Sequence, residues 1–520
     1  MSFKKIYHFL LFFSAVILLT VILMLNFIYP LTLGKTNILY SDFGKFYHSQ
    51  QLFIQGKNIY TPIYFVKNKI NTDSPVTQTK SAHSKVVKLG GNLNPPFFTL
   101  ISFPLAYLSY PQALLLWTFL SMLAGALGIL LLQQKIDRQT FSVFHALLLL
   151  IALFSYFPSF VSLQFGQVSF LLLPLLALGW CAARDEKTIR AAIFLALATS
   201  LKPFIGLFLF YFLIRKEWRG LCAFFLTLLS CGLIAALFLG FDSYVAYYHA
   251  CQQIKWAASS WNVSFYGFLL RLLGGIENNV ALLPIPGLVT SLYPWVAGLF
   301  LLAIMQFLRS TVHVQTEQKV DLDFSVIIVG MLLLSPLGWI YYFPFLSIPI
   351  LILWQFAKKG VYPIALPLFL MTCLFLSNIP ISLFGSDLIN TANVLPVFLS
   401  SSLYFSVLIG LTGLIFLLRY RLAHNFELYS QPLDSWQGAA KIKQPQCIRL
   451  HEDCALSGNT DKNTNAKNIP FERIPPALLL LIGSVVFLPS YQGIGKATVD
   501  WLLHGTHYSQ QYSVIAYHQD

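Results

Sequence analysis

The sequence predicts an all-α polytopic membrane protein, a helical bundle of about eleven to thirteen transmembrane helices with a long first extracytoplasmic loop. Three observations predict it. Of the 520 residues, 57% are hydrophobic and only 10% charged, against about 25% charged in a soluble domain, so the apolar surface exceeds what a water-soluble core can hide. Apolar runs able to cross about 30 Å of hydrocarbon recur along the chain, and lipid stabilises them provided every backbone polar group is satisfied internally. Basic residues punctuate these runs at intervals that follow the positive-inside tendency.

The first span is Tyr7 to Tyr29. Lys4 and Lys5 place its start in the cytoplasm, and its length without a small-residue cleavage site marks a retained span rather than a signal peptide. A polar loop over 31–94 follows outside. Pro95 to Tyr110 is short, Pro-rich and aromatic, and is expected to lie along the outer interface. Pro111 to Leu132 returns to Lys135 and Arg138, Phe141 to Phe157 goes out, and Val168 to Ala183 comes back to Arg184, Lys187 and Arg190. Ala191 to Ile214 has basic residues on both flanks (Arg190 before it; Arg215, Lys216 and Arg219 after it) and Lys202-Pro203 in its middle. Two half-length helices meeting there keep both flanks inside, and broken helices are tolerated where they line a protein-enclosed cavity. Further spans are Leu221 to Phe241, Leu282 to Leu308, a pair within Phe324 to Phe356 folded at Ser335 to Trp339, Val361 to Ile381, and Leu395 to Leu418. The multi-span unit thus covers 1–422. Residues 423–473 are polar, with Asn459 to Asn468 rich in Asn, Thr and Lys, and read as a mobile cytoplasmic tail. Within 474–520, Pro475 to Pro489 is either one more short span or an interfacial segment.

From Ser41 to Gln55 the apolar residues Phe43, Phe46, Tyr47, Leu52, Phe53 and Ile54 recur at near-helical spacing, between Ser41 as an N-cap and Gly56 as a stop. That describes an amphipathic helix on the membrane face. Asp42 stands in its first turn, where the helix dipole favours a carboxylate. It can serve there as a helix cap, or as a base taking the proton of a hydroxyl that is becoming a nucleophile. The same loop carries Lys35, Lys45, Lys57, Lys67, Lys69, Lys80, Lys85 and Lys88 against Asp42 and Asp73. Attraction of anionic lipid or phosphate groups and plain solvation both account for this excess, solvation being the reading for Asn68 to Lys88.

An ammonium inside an apolar run is costly and faces a cavity or a partner, and Lys202 lies too far from either end of its segment to snorkel. A lipid-linked phosphate is such a partner. Arg271 offers the same chemistry, or an interfacial anchor. Asn262-Val263-Ser264 fits a glycosylation acceptor pattern. The net charge of +14 is scattered through loops, which suits topology and contact with membrane lipids rather than nucleic acid. Cys447, His451 and Cys454 cluster at a spacing that is no recognised zinc pattern.

Several segments in fixed order carry a resemblance. Asp42 precedes Tyr47 and Gly56-Lys57-Asn58-Ile59-Tyr60; Asn94-Pro95-Pro96-Phe97 leads to Trp117; Phe165-Gly166-Gln167-Val168 follows. Next come Lys202-Pro203 with Arg215-Lys216-Glu217-Trp218-Arg219, then Asn262-Val263-Ser264 before Arg271, then Ser335-Pro336-Leu337-Gly338-Trp339. This order resembles glycosyltransferase family 87, polyprenyl-phosphate-mannose-dependent transferases of the C-type membrane superfamily. The resemblance implies a multi-span fold whose first outer loop carries the catalytic aspartate, here matching Asp42, and a lipid-phosphate sugar donor in place of a nucleotide sugar. It also implies a location in a membrane such as the bacterial inner membrane. After Trp339 many relatives place one or two histidines where this chain has Tyr341 and Tyr342, which can hydrogen-bond a phosphate or stack on a sugar.

The expected reaction is an inverting hexosyl transfer, with mannose as the sugar. Asp42 deprotonates a hydroxyl of a lipid or glycan acceptor, which attacks the anomeric carbon of a polyprenyl-phosphate sugar on the extracytoplasmic face. Lys202 and Arg271 stabilise the departing phosphate, and Gln167, Tyr341 and Tyr342 complete the substrate-binding set. The scheme requires no metal and no cofactor. Two other classes remain: a transporter or lipid flippase with Lys202 as its midplane site, and a glycan ligase or polymerase. The single dominant outer loop and the lack of an inverted repeat speak against the first, the motif order against the second.

Overall fold

The computed structural model of the chain describes residues 3–24, 27, 42–67, 85–137, 142–252, 257–274, 281–285, 287–310, 316–381, 394–430 and 512–513. Helix α1 (Phe3–Leu23) is followed by α2 (Asp42–Ile54), whose bounds match the predicted amphipathic helix, and Gly56 ends it with a φ of 66°. Two antiparallel strands, β1 (Ile63–Lys67) and β2 (Lys85–Gly90), bracket the stretch read as a solvated loop, with a short β3 (Tyr512–Ser513) on the free edge of β1. Tyr64-Phe65-Val66 and Val86-Val87 supply the aromatic and β-branched residues that favour strands.

All else described is helical. Helix α3 (Pro96–Ser102) runs into a 3₁₀ turn (Phe103–Tyr107), a segment that buries Phe98, Leu105 and Ala106 while exposing Ile101 and Tyr107. Then follow α4 (Tyr110–Ile136), α5 (Val143–Ser155), α6 (Phe157–Gln164), α7 (Ser169–Arg184), α8 (Thr188–Leu201), a 3₁₀ turn (Pro203–Phe208) with α9 (Leu209–Ile214), and α10 (Trp218–Leu239). The rest comprises α11 (Asp242–Gln252), α12 (Phe265–Leu273), α13 (Leu288–Arg309), α14 (Thr316–Leu334), a 3₁₀ turn (Ile340–Leu346) with α15 (Ser347–Lys358), α16 (Ala365–Leu376) and α17 (Val394–Ser430). The last helix continues past Leu422, where the membrane unit was expected to end.

Among the described residues, five helices are long and apolar enough to cross a membrane, and a sixth if α5 and α6, bent by 66°, form one span. Six shorter apolar helices of 10–17 residues complete the set. Apart from Phe9–Leu23, which belongs to the 21-residue α1, these fall short of a full bilayer core at about 1.5 Å per residue, because prolines and turns break the apolar runs that the sequence presents as continuous. The bend at Tyr156 is satisfied rather than frayed: Asn378 accepts the Phe157 backbone N–H at 2.7 Å, and the Tyr156 hydroxyl donates to Ser377 at 2.7 Å. The run Ile340–Lys358 is almost wholly enclosed by protein, whereas α10 and α13 leave most of their apolar side chains uncovered, among them Phe225, Leu226, Leu237, Phe238, Trp295 and Leu299. Such outer helices suit a lipid solvent.

The ends predicted to be cytoplasmic gather on one face. Lys135 pairs with Asp185, Arg184 with Glu317 at 2.7 Å, Arg215 with Asp323 at 3.2 Å, and Lys358 with Asp137 at 3.2 Å. These contacts join the ends of α4, α7, α9 and α15 to the start of α14. Helix α8 and the segment after it form the expected hairpin: a side chain added at Gly220 would meet both Thr188 and Phe212, and one at Gly206 would meet Thr199. Both ends of the segment therefore lie at the basic face, and Lys202 is at the tip.

Candidate active site

Asp42 opens α2, and the start of that helix is tied to the loop between α6 and α7. The Phe43 N–H, one of the donors a helix start leaves without an internal partner, donates to the Phe165 carbonyl at 3.1 Å. Gly166, at φ 64°, lets the two segments touch: a Cβ there would lie 2.5 Å from the Cβ of Phe43. The Trp117 indole donates to the Gly166 carbonyl at 2.8 Å while its ring packs 5.5 Å from that of Phe43. Locked this way, the loop delivers Gln167 to Asp42. The Gln167 side-chain amide donates to Oδ2, and the Lys45 ammonium pairs with Oδ1 at 2.7 Å. Gln167 is buried, whereas the Asp42 side chain is 23% exposed and so open to a ligand.

Lys202 leaves the helix in an extended conformation (φ −143°, ψ 105°) just ahead of Pro203, which disfavours helix in the residue before it. Its Nζ sits 5.7 Å from the ring centroid of Tyr342. Asp42 acts electrostatically on Lys202, Tyr341 and Tyr342, and Cys251 acts on Lys202 as well. The first-loop carboxylate thus lies within electrostatic reach of the hairpin lysine and the two tyrosines, at the end of the hairpin away from the basic network.

The tyrosines are placed by a backbone clasp. Val263 N–H donates to Gly338 at 2.8 Å and Ile340 N–H to Trp261 at 3.0 Å, around an antiparallel bridge between Asn262 and Trp339. Trp339 stacks on Tyr341 at 5.7 Å, Phe204 packs on Tyr342 at 4.8 Å and Trp261 on Phe165 at 5.3 Å, giving the cleft an aromatic wall. Asn262 is fully buried, and its amide nitrogen donates to the Ala257 and Pro336 carbonyls at 2.8 Å each. The glycosylation pattern is therefore overturned: the asparagine holds the clasp and has no nitrogen to offer a glycan. Above the cleft, α11 sets Tyr247 5.6 Å from Tyr60, whose hydroxyl donates to the Asn94 carbonyl. Burial, reinforced by Tyr247, pushes the Tyr60 phenol far above its ordinary range, so it stays a neutral donor.

The turn that carries the tyrosines also borders an apolar cavity of about 60 Å³, lined by Tyr156, Phe343, Pro344, Ser347, Ile350 and Leu351 among others. Arg271 stands apart. It is 2% exposed, among the described residues only its Nη1 is engaged (to the Ser259 carbonyl at 2.6 Å), and it is not among the groups that act on Lys202. The structure thus brings together Asp42, Gln167, Lys202, Tyr341 and Tyr342, and leaves Arg271 outside that group.

Lys45 was counted among the loop lysines, but its pairing with Asp42 was not read from the sequence, although three residues apart on a predicted helix is the ordinary spacing of an ion pair. Tyr60 closes the Gly56–Tyr60 element of the resemblance with no role assigned to it there, and Tyr247 and Cys251 carry no local signal; their meeting is found only through the fold. Ser41, Lys35, Arg138, the Cys447–His451–Cys454 cluster and the stretch Pro475 to Pro489 lie outside the described residues.

No curated protein matches the chain. Residues 92–336, just under half of it, match the sequence model of glycosyltransferase family 87. The match takes in Gln167, Lys202 and Arg271; Asp42 precedes it, and Tyr341 and Tyr342 follow it. Over that segment the chain is similar to glycosyltransferase family 87, and the similarity points to a membrane glycosyltransferase.

Proposed function

We propose that the protein transfers a hexose, mannose in the first instance, from a polyprenyl-phosphate carrier to a hydroxyl of a lipid or glycan acceptor, with inversion, at the extracytoplasmic face of a bacterial inner membrane. The observation that supports this reading is that Asp42 lies within electrostatic reach of Lys202, at the end of the hairpin away from the basic loops. Each Asp42 oxygen keeps a lone pair beyond the one used by Lys45 or Gln167. One of them takes the acceptor proton as the acceptor oxygen bonds to the anomeric carbon. The bond from that carbon to the phosphate oxygen breaks, and the carrier leaves as a polyprenyl phosphate whose charge meets the Lys202 ammonium. Tyr341 and Tyr342 offer a stacking face to the sugar and hydroxyls to the phosphate. The apolar cavity beside the same turn suits the carrier's hydrocarbon.

Purified protein supplied with labelled polyprenyl-phosphate mannose and a panel of acceptor lipids tests this. Asp42→Asn is expected to abolish transfer while the protein stays folded and still binds donor. Normal transfer by that variant would reduce Asp42 to a helix cap.

A further inference from the structure

A buried guanidinium is among the costliest groups a protein can enclose, and it is normally matched by a carboxylate or fully hydrogen-bonded. Arg271 is neither. Among the described residues its Nε and Nη2 have no hydrogen-bond partner, no charged group acts on it, and one backbone carbonyl on Nη1 is all that it holds. The Oγ of Ser260, next in sequence to the residue that supplies that carbonyl, is also buried and, among the described residues, without a partner. The free Nε and Nη2 share one edge of the guanidinium, the edge that grips two oxygens of a phosphate or carboxylate at once.

The surroundings narrow the ligand. Ser264, at the start of α12, belongs to the clasp behind the aromatic wall, and Arg271 comes seven residues later, about 10 Å along the helix. Around it Ala257, Ala258, Leu269, Leu270, Leu273 and Val289 form an apolar cluster separate from the main core. An anion settling there meets hydrocarbon on its other sides, which favours a phosphate attached to lipid.

We infer that Arg271 is a second anion site of this protein, apart from the Asp42–Lys202 cleft, which receives a phosphate group through its free Nε and Nη2. The site rests on the proposed function only in that the second phosphate would belong to an anionic acceptor. Its source is either a lipid headgroup or free phosphate.

Thermal unfolding of the full-length protein in detergent distinguishes these, in a Lys202→Met background that silences the donor cleft. The probes are short-chain phosphatidic acid against diacylglycerol of equal chain length, and sodium phosphate against sodium chloride at equal ionic strength. Phosphatidic acid is expected to raise the unfolding temperature where diacylglycerol does not. A response to sodium phosphate alone would support the site and assign it to a soluble ligand. Arg271→Met is expected to weaken this binding at least tenfold, with Arg271→Lys intermediate. Without any added phosphate, Arg271→Met should unfold at the same temperature as its parent or higher, because an uncompensated charge has been removed. A purely structural arginine predicts the reverse. No response of the parent to either probe, or an undiminished response in Arg271→Met, would overturn the inference. Asp42→Asn should leave the response unchanged, so the site stands or falls separately from the transfer reaction.

Discussion

The side-chain amide of Gln167 donates to Oδ2 of Asp42 across 125 residues of sequence, and it is the link that turns a helix-start aspartate into a fixed group facing a cleft. Lys45 can swing with its long side chain, whereas Gln167 is buried and cannot. Gln167→Leu should therefore loosen the carboxylate without emptying the cleft. In the mannosyl transfer assay kcat is expected to fall about 10- to 100-fold with KM for the donor little changed, since a shift of about 1 Å at a reacting group costs rate on that scale. An equal rise in KM would show that Gln167 acts on substrate rather than on Asp42.

Gly166 makes that link geometrically possible. Gly166→Ala combines a φ of 64° with a Cβ 2.5 Å from that of Phe43, so either the loop or α2 must move. We expect a loss of stability on the order of 2 kcal/mol together with loss of transfer. Gly413→Ala, on α17, is the control: nothing lies within 4 Å of its added Cβ, and it should be neutral or slightly stabilising in the same unfolding measurement.

What the sequence made legible follows from how local each determinant is. The bounds of α2, the turn at Ser335 to Trp339 and the reversal at Lys202-Pro203 are set by caps, prolines and flanking charges within a few residues, and each can be read from a short window. The Asp42–Lys202 approach was only implied, through a resemblance. The contact of Gly166 with Phe43, the roof of Tyr60 and Tyr247, and the separation of Arg271 from Lys202 depend on packing between distant segments, for which one sequence carries no signal. The β1–β2 hairpin is a different failure. Its residues do favour strands, but the lysines around them gave the stretch the look of solvated loop.

His48, on α2 six residues beyond Asp42, gives the helix a pH dependence. Its partial burial lowers the imidazole pKa below the ordinary 6.5. Between the lowered value and 6.5 the unfolded chain binds more protons than the folded one, so stability is full above about pH 6.5 and declines as the pH falls below it. His48→Gln should flatten this part of the profile while leaving the curve above pH 7 in place. Unfolding temperatures of both proteins from pH 7.5 to 5 read the effect; parallel curves would mean that His48 does not couple to folding.

The basic face offers a test of the frame that holds the cleft without touching the cleft itself. The Asp323 side chain is fully buried and pairs with Arg215 at 3.2 Å, joining the end of the Lys202 hairpin to the start of α14, with Arg419 acting on the same carboxylate. Removing one partner of a buried pair strands a charge, at a cost of about 3–5 kcal/mol, whereas removing both strands neither partner and leaves Arg419 without the carboxylate it acts on. Arg215→Met is expected near the lower end of that range, because Arg419 remains beside Asp323. The double variant Arg215→Met with Asp323→Leu should recover part of the loss, and the coupling energy from the full cycle in thermal or denaturant unfolding measures the pair directly. Donor binding at temperatures where all variants stay folded should be unaltered, since the network lies at the far end of the hairpin from Lys202. A change in donor affinity in the double variant would mean that the hairpin tip follows its base, and that the cleft is set by the ion pair as well as by the packing around Lys202.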